Sequence, residues 1–158
     1  LDLLDNIILR TYYLEKYSDG IFIDYKSVRK LAEEMVEDYN IYLSDLNHPV
    51  NYMSGGNLQK LLIARELSQK PRVLVAAYPS RGLDIAAAES VYNILLQERD
   101  KGTGILLILE DLEDIFRYAD RVAVMYAGGI QKILDADKTN IDEIGALMLG
   151  VEYVRKTS

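Results

Sequence analysis

The chain has 158 residues, of which 49% are hydrophobic and 27% are charged, the size and composition of one globular unit. Its net charge of −7 argues against a nucleic-acid-binding surface, and its lack of cysteine excludes disulfides and thiolate metal sites. No apolar run approaches the length that spans a bilayer, so any link to a membrane is expected to go through a partner.

Two amphipathic helices are predicted in the N-terminal part of the chain. Apolar residues recur with the helical period over residues 2–17, and a second helix is predicted over about 26–39, where Asp24 can cap its start. Residues 40–52 are rich in Asn, Asp, Ser and Pro and predict a loop. This loop contains the single histidine, His48, which has no second histidine to pair with and is expected to be an ordinary surface residue.

A serine and two glycines open the third predicted helix, in the run Met53-Ser54-Gly55-Gly56-Asn57. Ser54 can cap the helix and donate its hydroxyl to a phosphate oxygen, while the glycines let the backbone approach closely. The same pattern is typical of an ordinary glycine-rich turn before a helix, so these residues alone leave both interpretations open. The helix is expected to have an apolar side of Leu58, Leu61, Leu62 and Ala64, with Gln59, Lys60, Arg65 and Glu66 largely opposite.

From Pro71 onward, strands and helices alternate, which is typical of a parallel α/β sheet. The predicted strands are residues 72–77, 104–109 and 121–125. The predicted helices are residues 85–100, 111–118 and 141–149. A tight turn at 127–129 also predicts an antiparallel hairpin formed by 122–126 and 130–134.

The order of these motifs resembles the C-terminal part of an ABC-type ATPase domain. Residues 53–60 resemble its signature motif, the strand that ends at Ala77 takes the Walker B position, and residues 82–84 resemble the D-loop. The wording Ala-Ala-Tyr-Pro-Ser-Arg-Gly-Leu-Asp at 76–84 is most similar to the second ATPase domain of importers for simple sugars and nucleosides.

The resemblance implies an α/β fold, namely part of an ABC-type, P-loop NTPase nucleotide-binding domain with a parallel sheet, flanking helices and a helical subdomain. Residues 1–52 would form the helical subdomain, 53–150 the signature helix with the C-terminal α/β part of the ATPase core, and 151–158 a tail. The sequence has no Gly-Lys-Ser or Gly-Lys-Thr and starts at Leu1. We therefore expect a fragment from which the P-loop half is missing.

The positions that hydrolyse ATP in this family carry unsuited residues here. The family uses an aspartate to hold Mg²⁺, a glutamate to polarise the attacking water and a histidine to sense the γ-phosphate. By resemblance, Ala77, Tyr78 and Glu110 take these positions. Alanine offers no oxygen ligand, tyrosine is a poor base near neutral pH, and glutamate adds negative charge beside phosphate. No catalytic residue is intact, no metal site is expected, and the isolated chain is predicted to be inactive.

The signature motif, in contrast, is preserved. In ABC dimers the signature of one domain closes over ATP held by the P-loop of the other, so this chain would complete its partner's ATP site while its own is silent. The ATP-binding signature residues are Ser54, Gly55, Gly56 and Asn57, where asparagine replaces the usual glutamine. The D-loop and dimer interface would comprise Arg81, Gly82, Leu83 and Asp84. The alternative for two of them is that Asp84 is a turn residue and Arg81 a solvated one.

The resemblance implies an ATP-binding subunit of an ABC transporter that energises uptake of a sugar or nucleoside, peripheral at the cytoplasmic face of the membrane. ATP and Mg²⁺ would bind the full-length dimer, and neither is expected on the isolated chain. The expected partners are the first ATPase domain, a transmembrane permease that meets the helical subdomain and, indirectly, a substrate-binding protein, but no nucleic acid. Aromatic residues that would suit the permease contact, or else belong to the core, are Tyr12, Tyr13, Tyr17 and Phe22.

Two other functions remain open at this point. One is a soluble ABC-type ATPase of repair or translation, which the wording at 76–84 and the acidic charge disfavour. The other is a non-catalytic module that uses the α/β scaffold for docking. The transported substrate does not follow from this sequence, because specificity would lie in the permease and the binding protein.

Overall fold

The computed structural model describes residues 1–151; the predicted tail lies, apart from its first residue, outside the described residues. The described chain forms two compact units, Leu1–Leu106 and a second that begins at Leu107. The helices are α1 (Leu3–Thr11), α2 (Tyr25–Asp38), α3 (Gly55–Leu67), α4 (Ile85–Asp100), α5 (Leu112–Tyr118) and α6 (Ile141–Met148). The strands are β1 (Val73–Ala77), β2 (Gly104–Ile108), β3 (Arg121–Tyr126) and β4 (Gly129–Asp135).

The main core of the first unit lies between α1, α2 and α3. Asp2 caps α1 and Asp24 caps α2, the latter as predicted. The prediction that the first helix continues to residue 17 is wrong, because α1 ends at Thr11 and a series of tight turns carries Tyr17 back into the core. The core side chains are Leu3, Leu4, Ile7, Tyr17, Val28, Ala32, Met35, Ile41, Leu61 and Ala64.

Helix α2 closes with a left-handed residue. Asn40 has φ +49°, and the Ile41 N–H returns to the Val36 carbonyl at 3.0 Å, which is the bond that a Schellman ending makes. Ile41 is buried at this end, so the reversal also delivers an apolar side chain to the core.

The buried face of α3 differs in part from the one predicted, since Leu61 and Ala64 are buried as expected but Leu58 and Leu62 are not. Lys60 is only 7% exposed, whereas Leu58 and Leu62 are 42% and 43% exposed. The apolar stem of a lysine can line a core while its ammonium group reaches a polar atom, here the Asn40 carbonyl. The buried residues of α3 are Lys60, Leu61, Ile63, Ala64 and Leu67.

Strands β1 and β2 form a parallel β–α–β unit through α4. The N–H of Gly104, which begins β2, donates at 2.9 Å to the carbonyl of Arg72, just before β1, so the strands start side by side and run in the same direction. One face of this pair is half-buried, and the other exposes Val73, Val75 and Leu106.

The second unit is a hairpin packed on helices. β3 and β4 pair antiparallel, with Val122 opposite Leu134, as the sequence predicts. Val122 and Val124 pack with Ile144 of α6. The buried Glu143 carboxylate accepts from Lys132 Nζ at 2.7 Å and from Thr139 Oγ1 at 3.0 Å.

Candidate functional site

Two helix N-termini lie side by side in the first unit. Ser54 caps α3, and Asp84 caps α4 by accepting from the Ala87 N–H at 2.9 Å. The helices meet so closely that a Cβ on Gly56 would lie 2.8 Å from the Ala87 Cβ, whereas one on Gly55 would meet Leu83 at 3.5 Å. Both N-termini are positive dipole ends, but the Asp84 carboxylate already offsets the one of α4, whereas α3 is capped by a neutral hydroxyl and has no acidic residue in its first turn. The start of α3 is therefore the end that favours an anionic ligand.

Ser54 and Asn57 form a small polar network at the start of α3. Ser54 Oγ accepts from the Asn57 N–H at 3.4 Å and from Asn57 Nδ2 at 3.1 Å. Asn57 Oδ1 in turn accepts from the Tyr42 N–H at 3.0 Å. The network therefore connects the helix start to the segment that follows α2.

Lys60 forms a second link to the same segment. Its Nζ donates to the Asn40 carbonyl at 3.0 Å and lies 5.8 Å from the centre of the Tyr42 ring. A cation at the carbonyl end of α2 also complements the helix dipole. Burial, reinforced by the carboxylates of Glu98 and Asp38, raises the pKa of the neighbouring Tyr39 to about 12.

A shallow cavity of about 190 Å³ opens beside this network. It is lined by Ser54 and Asn57 on one side and by the loop after α2 on the other. His48, exposed as predicted, has Nδ1 at 2.7 Å from Ser44 Oγ. A hydrogen bond from the Asn47 N–H lowers the pKa of Asp45 from its ordinary value.

The turn between β1 and α4 is tightly held. Tyr78 has φ +49°, a strained value for an aromatic residue, and its carbonyl accepts from the Arg81 N–H at 3.1 Å. Ser80 Oγ lies 2.8 Å from the hydroxyl of Tyr92, a buried residue of α4. Sequence reasoning assigned Ser80 no role and missed Tyr92, although a tyrosine in the apolar middle of a helix needs a partner for its hydroxyl.

The chain is related to ATP-binding proteins of importers. It is 38% identical over 146 residues to the nucleoside import ATP-binding protein NupA of Lactococcus lactis, covering 92% of this chain and 29% of NupA. It is 35% identical over 152 residues to a glucose import ATP-binding protein of Haloferax volcanii, covering 95% of this chain and 28% of that protein. The chain thus spans less than a third of these relatives. No protein-family profile matches it.

Solved structures agree on the fold. A dimeric ATP-binding cassette in a post-hydrolysis state with ADP and Pi aligns with a TM-score of 0.68 at 24% identity, over 86% of this chain and 57% of that one. A second ATP-binding cassette of an ABC transporter aligns with a TM-score of 0.73 at 22% identity, over 95% of this chain and 62% of that one. The chain therefore has the fold of an ATP-binding cassette.

The ABC-type motifs predicted from the sequence lie in both units. The signature (Ser54–Asn57) and the D-loop (Arg81–Asp84) are neighbours in the first unit, since Gly55 faces Leu83. Ala77 ends β1, and Tyr78 starts the turn that leads to that D-loop. Glu110 follows β2 in the second unit and is exposed.

The carboxylates after Glu110 start a helix, as predicted. Asp111 caps α5, accepting from the Glu113 N–H at 2.8 Å and the Asp114 N–H at 3.3 Å. Glu113 and Asp114 lie in the first turn, where negative charge is favourable. Among residues 1–151, no group of three or more acidic or histidine side chains is placed to hold a metal ion.

Proposed function

We propose that the chain is part of an ATP-binding subunit of an ABC transporter that energises import of a sugar or a nucleoside. The observation that carries this proposal is the signature Ser54–Asn57, with its serine at a helix N-terminus beside the capped start of α4. The relatives are import proteins for a nucleoside and for glucose, which supports the substrate class.

In the proposed mechanism, the signature of this chain closes over ATP held by the first ATPase domain. The residues fit a phosphate group, because Ser54 supplies a hydroxyl and the start of α3 supplies N–H groups and a dipole. Donors aimed at developing negative charge lower the barrier to phosphoryl transfer.

This chain's own Walker B and switch positions do not fit catalysis. Ala77 has no oxygen for the Mg²⁺ shell, Tyr78 replaces the glutamate that would polarise water, and Glu110 adds negative charge. When bound, Mg²⁺ neutralises charge on the phosphates. In this proposal Mg²⁺ would be held in the partner's ATP site and not at Ala77. We therefore propose that the isolated chain is inactive.

The permease contact would use the aromatic side chains at the ends of α1 and α2. Tyr12, Tyr13 and Phe22 are exposed, which supports this role. Tyr17 is buried in the core, which is the alternative that the sequence left open for it. Among the described residues, no helix is both long enough and apolar enough to cross a membrane. We place the protein on the cytoplasmic side as a peripheral subunit, in indirect contact with a substrate-binding protein.

The test compares two variants of the full-length protein that contains both ATPase domains. Ser54→Arg combined with Gly55→Asp fills the signature with bulk and charge and should lower the ATPase rate about 100-fold or more. Changing the P-loop lysine of this same domain should leave most of the rate, because the working ATP lies in the other site. An unchanged ATPase rate in the Ser54→Arg, Gly55→Asp variant would contradict the proposal. It is the result expected if the chain were a non-catalytic docking module.

A further inference from the structure

We propose that Asn57 is a positioning residue that makes the Ser54 hydroxyl a donor only, free to bond an anionic oxygen. The backbone N–H of Tyr42 fixes the Asn57 amide in the orientation that this requires. The proposal rests on the proposed function, because it concerns how the signature serine meets phosphate.

The serine hydroxyl has one proton to donate and two lone pairs that accept hydrogen bonds. The Asn57 N–H and the Asn57 side-chain amide both donate to Ser54 Oγ, at 3.4 Å and 3.1 Å. With both acceptor positions used, the hydroxyl proton is what Ser54 has left to offer. A phosphate oxygen only accepts hydrogen bonds, so it matches what remains.

The orientation of the Asn57 amide is set from outside α3. Its Oδ1 accepts from the Tyr42 N–H at 3.0 Å. A flipped amide would face that N–H with its own NH₂ group and would leave two donors opposed. Flipping would also turn Oδ1 toward Ser54, whose proton would then bond Asn57. The Tyr42 N–H therefore decides whether the Ser54 hydroxyl donates its proton to Asn57 or keeps it for another acceptor.

The segment that carries this N–H is itself held by Lys60. The Lys60 ammonium bonds the Asn40 carbonyl at 3.0 Å, and Asn40 is the left-handed residue that closes α2. Asn57 and Lys60 lie three positions apart on α3 and so bind the segment on either side of Ile41. The end of α2 thus determines the donor direction of Ser54.

The substitution Asn57→Asp separates this role from packing. Aspartate keeps the shape of asparagine, and one carboxylate oxygen can still accept from the Tyr42 N–H. The other oxygen cannot donate, so the Ser54 hydroxyl would turn and donate to residue 57 instead of phosphate. A carboxylate in the first turn of a helix is otherwise favourable, so the fold is expected to remain stable.

The experiment is a double-mutant cycle in the full-length protein, with ATP hydrolysis as the activity and thermal unfolding as the second measurement. Ser54→Ala and Asn57→Asp should each lower kcat about 100-fold, with little change in KM. Adding Asn57→Asp to Ser54→Ala should change kcat less than about threefold, since the hydroxyl is already gone. The control Asn93→Asp makes the same amide-to-carboxylate change at an exposed position of α4 and should keep the parental kcat.

Each other outcome decides against one of the proposals. An undiminished loss from Asn57→Asp in the Ser54→Ala background would show that charge or packing acts independently of the serine, and would overturn the positioning role. An active Asn57→Asp variant beside an inactive Ser54→Ala variant would overturn it too. If Ser54→Ala itself leaves kcat unchanged, the proposed function fails instead. A lowered unfolding temperature for Asn57→Asp relative to Asn93→Asp would indicate a structural role and would also contradict the inference.

Discussion

At the scale of single residues, the second glycine of the proposed signature is explained by packing within this chain. Gly56 lies where α3 crosses α4, and a Cβ there would approach the Ala87 Cβ to 2.8 Å. Gly55 has ordinary room, because its nearest neighbour would be Leu83 at 3.5 Å. The motif therefore brings the signature and the D-loop side of α4 together, in addition to any role toward phosphate.

We expect Gly56→Ala to lower the free energy of unfolding by about 1–3 kcal/mol, because the two helices must separate to admit the methyl group. Ala87→Gly removes the opposing methyl, so the double variant should be more stable than the sum of the two single changes predicts. Urea unfolding followed by circular dichroism measures these values. Gly55→Ala is the control and should cause no loss; equal losses at both glycines would contradict the packing argument.

The phenol of Tyr39 should make stability depend on alkaline pH. Its pKa is about 12 in the folded chain, chiefly through burial, against 10.0 for an ordinary tyrosine. Between these values the unfolded chain releases the proton while the folded chain keeps it, so stability falls as pH rises. The full stability is present below pH 10. Because the ring is partly exposed, we expect the free energy of unfolding to fall by only about 1 kcal/mol as pH rises from 10 to about 12.

The measurement is urea unfolding at several pH values between 9 and about 12. Tyr39→Phe should reduce the fall in stability, because the group that titrates differently has been removed. The exposed Tyr25 gives a matched variant, Tyr25→Phe, which should follow the parent. Parallel curves for the parent and Tyr39→Phe would show that Tyr39 does not contribute.

At the scale of elements, helices of this chain are followed by residues with positive φ, and these residues differ in how well they tolerate that conformation. Helix α6 closes on Gly150 at φ +71°, with N–H groups of 150 and 151 returning to carbonyls of the last turn. Helix α2 uses Asn40, and the turn after α3 uses Lys70, both at φ +49°. Glycine adopts this region without steric cost, asparagine tolerates it, and lysine does so least well.

Substitutions at these three positions should therefore change the free energy of unfolding by different amounts, which urea unfolding measures. Lys70→Gly should stabilise the chain by up to about 1 kcal/mol, and Asn40→Gly should change it by only a few tenths. Gly150→Ala should destabilise it by at least about 1 kcal/mol, because φ is unfavourable and a Cβ would meet the Tyr126 ring at 2.4 Å. A destabilising Lys70→Gly would contradict this ranking.

At the scale of the whole molecule, the sequence predicted the elements better than their packing. Helix α4 and strands β1 and β2 could be placed within a residue or so, because periodicity and turn residues are local signals. The burial of Lys60 could not, because its acceptor, Asn40, lies 20 positions away. The return of Tyr17 to the core likewise depends on contacts that no local pattern contains.

In the candidate site, too, the local features could be predicted from the sequence and the long-range contacts could not. The Ser-Gly-Gly run and its helix cap could be predicted, because a cap involves neighbours in sequence. The bond from the Tyr42 N–H to Asn57 spans 15 positions and forms only when the loop after α2 folds back on α3. A motif thus indicates which side chains are available, and the tertiary structure decides which atoms they present.

The buried position of Lys60 also makes it a natural chemical reporter. Of the lysines in the part of the chain that the structure describes, it is the buried one, with its amine on a backbone carbonyl. Acylating reagents would reach it last, after the lysines on the surface. Mass spectrometry of briefly labelled protein would therefore detect any loosening between α2 and the signature helix as the appearance of label at a single residue.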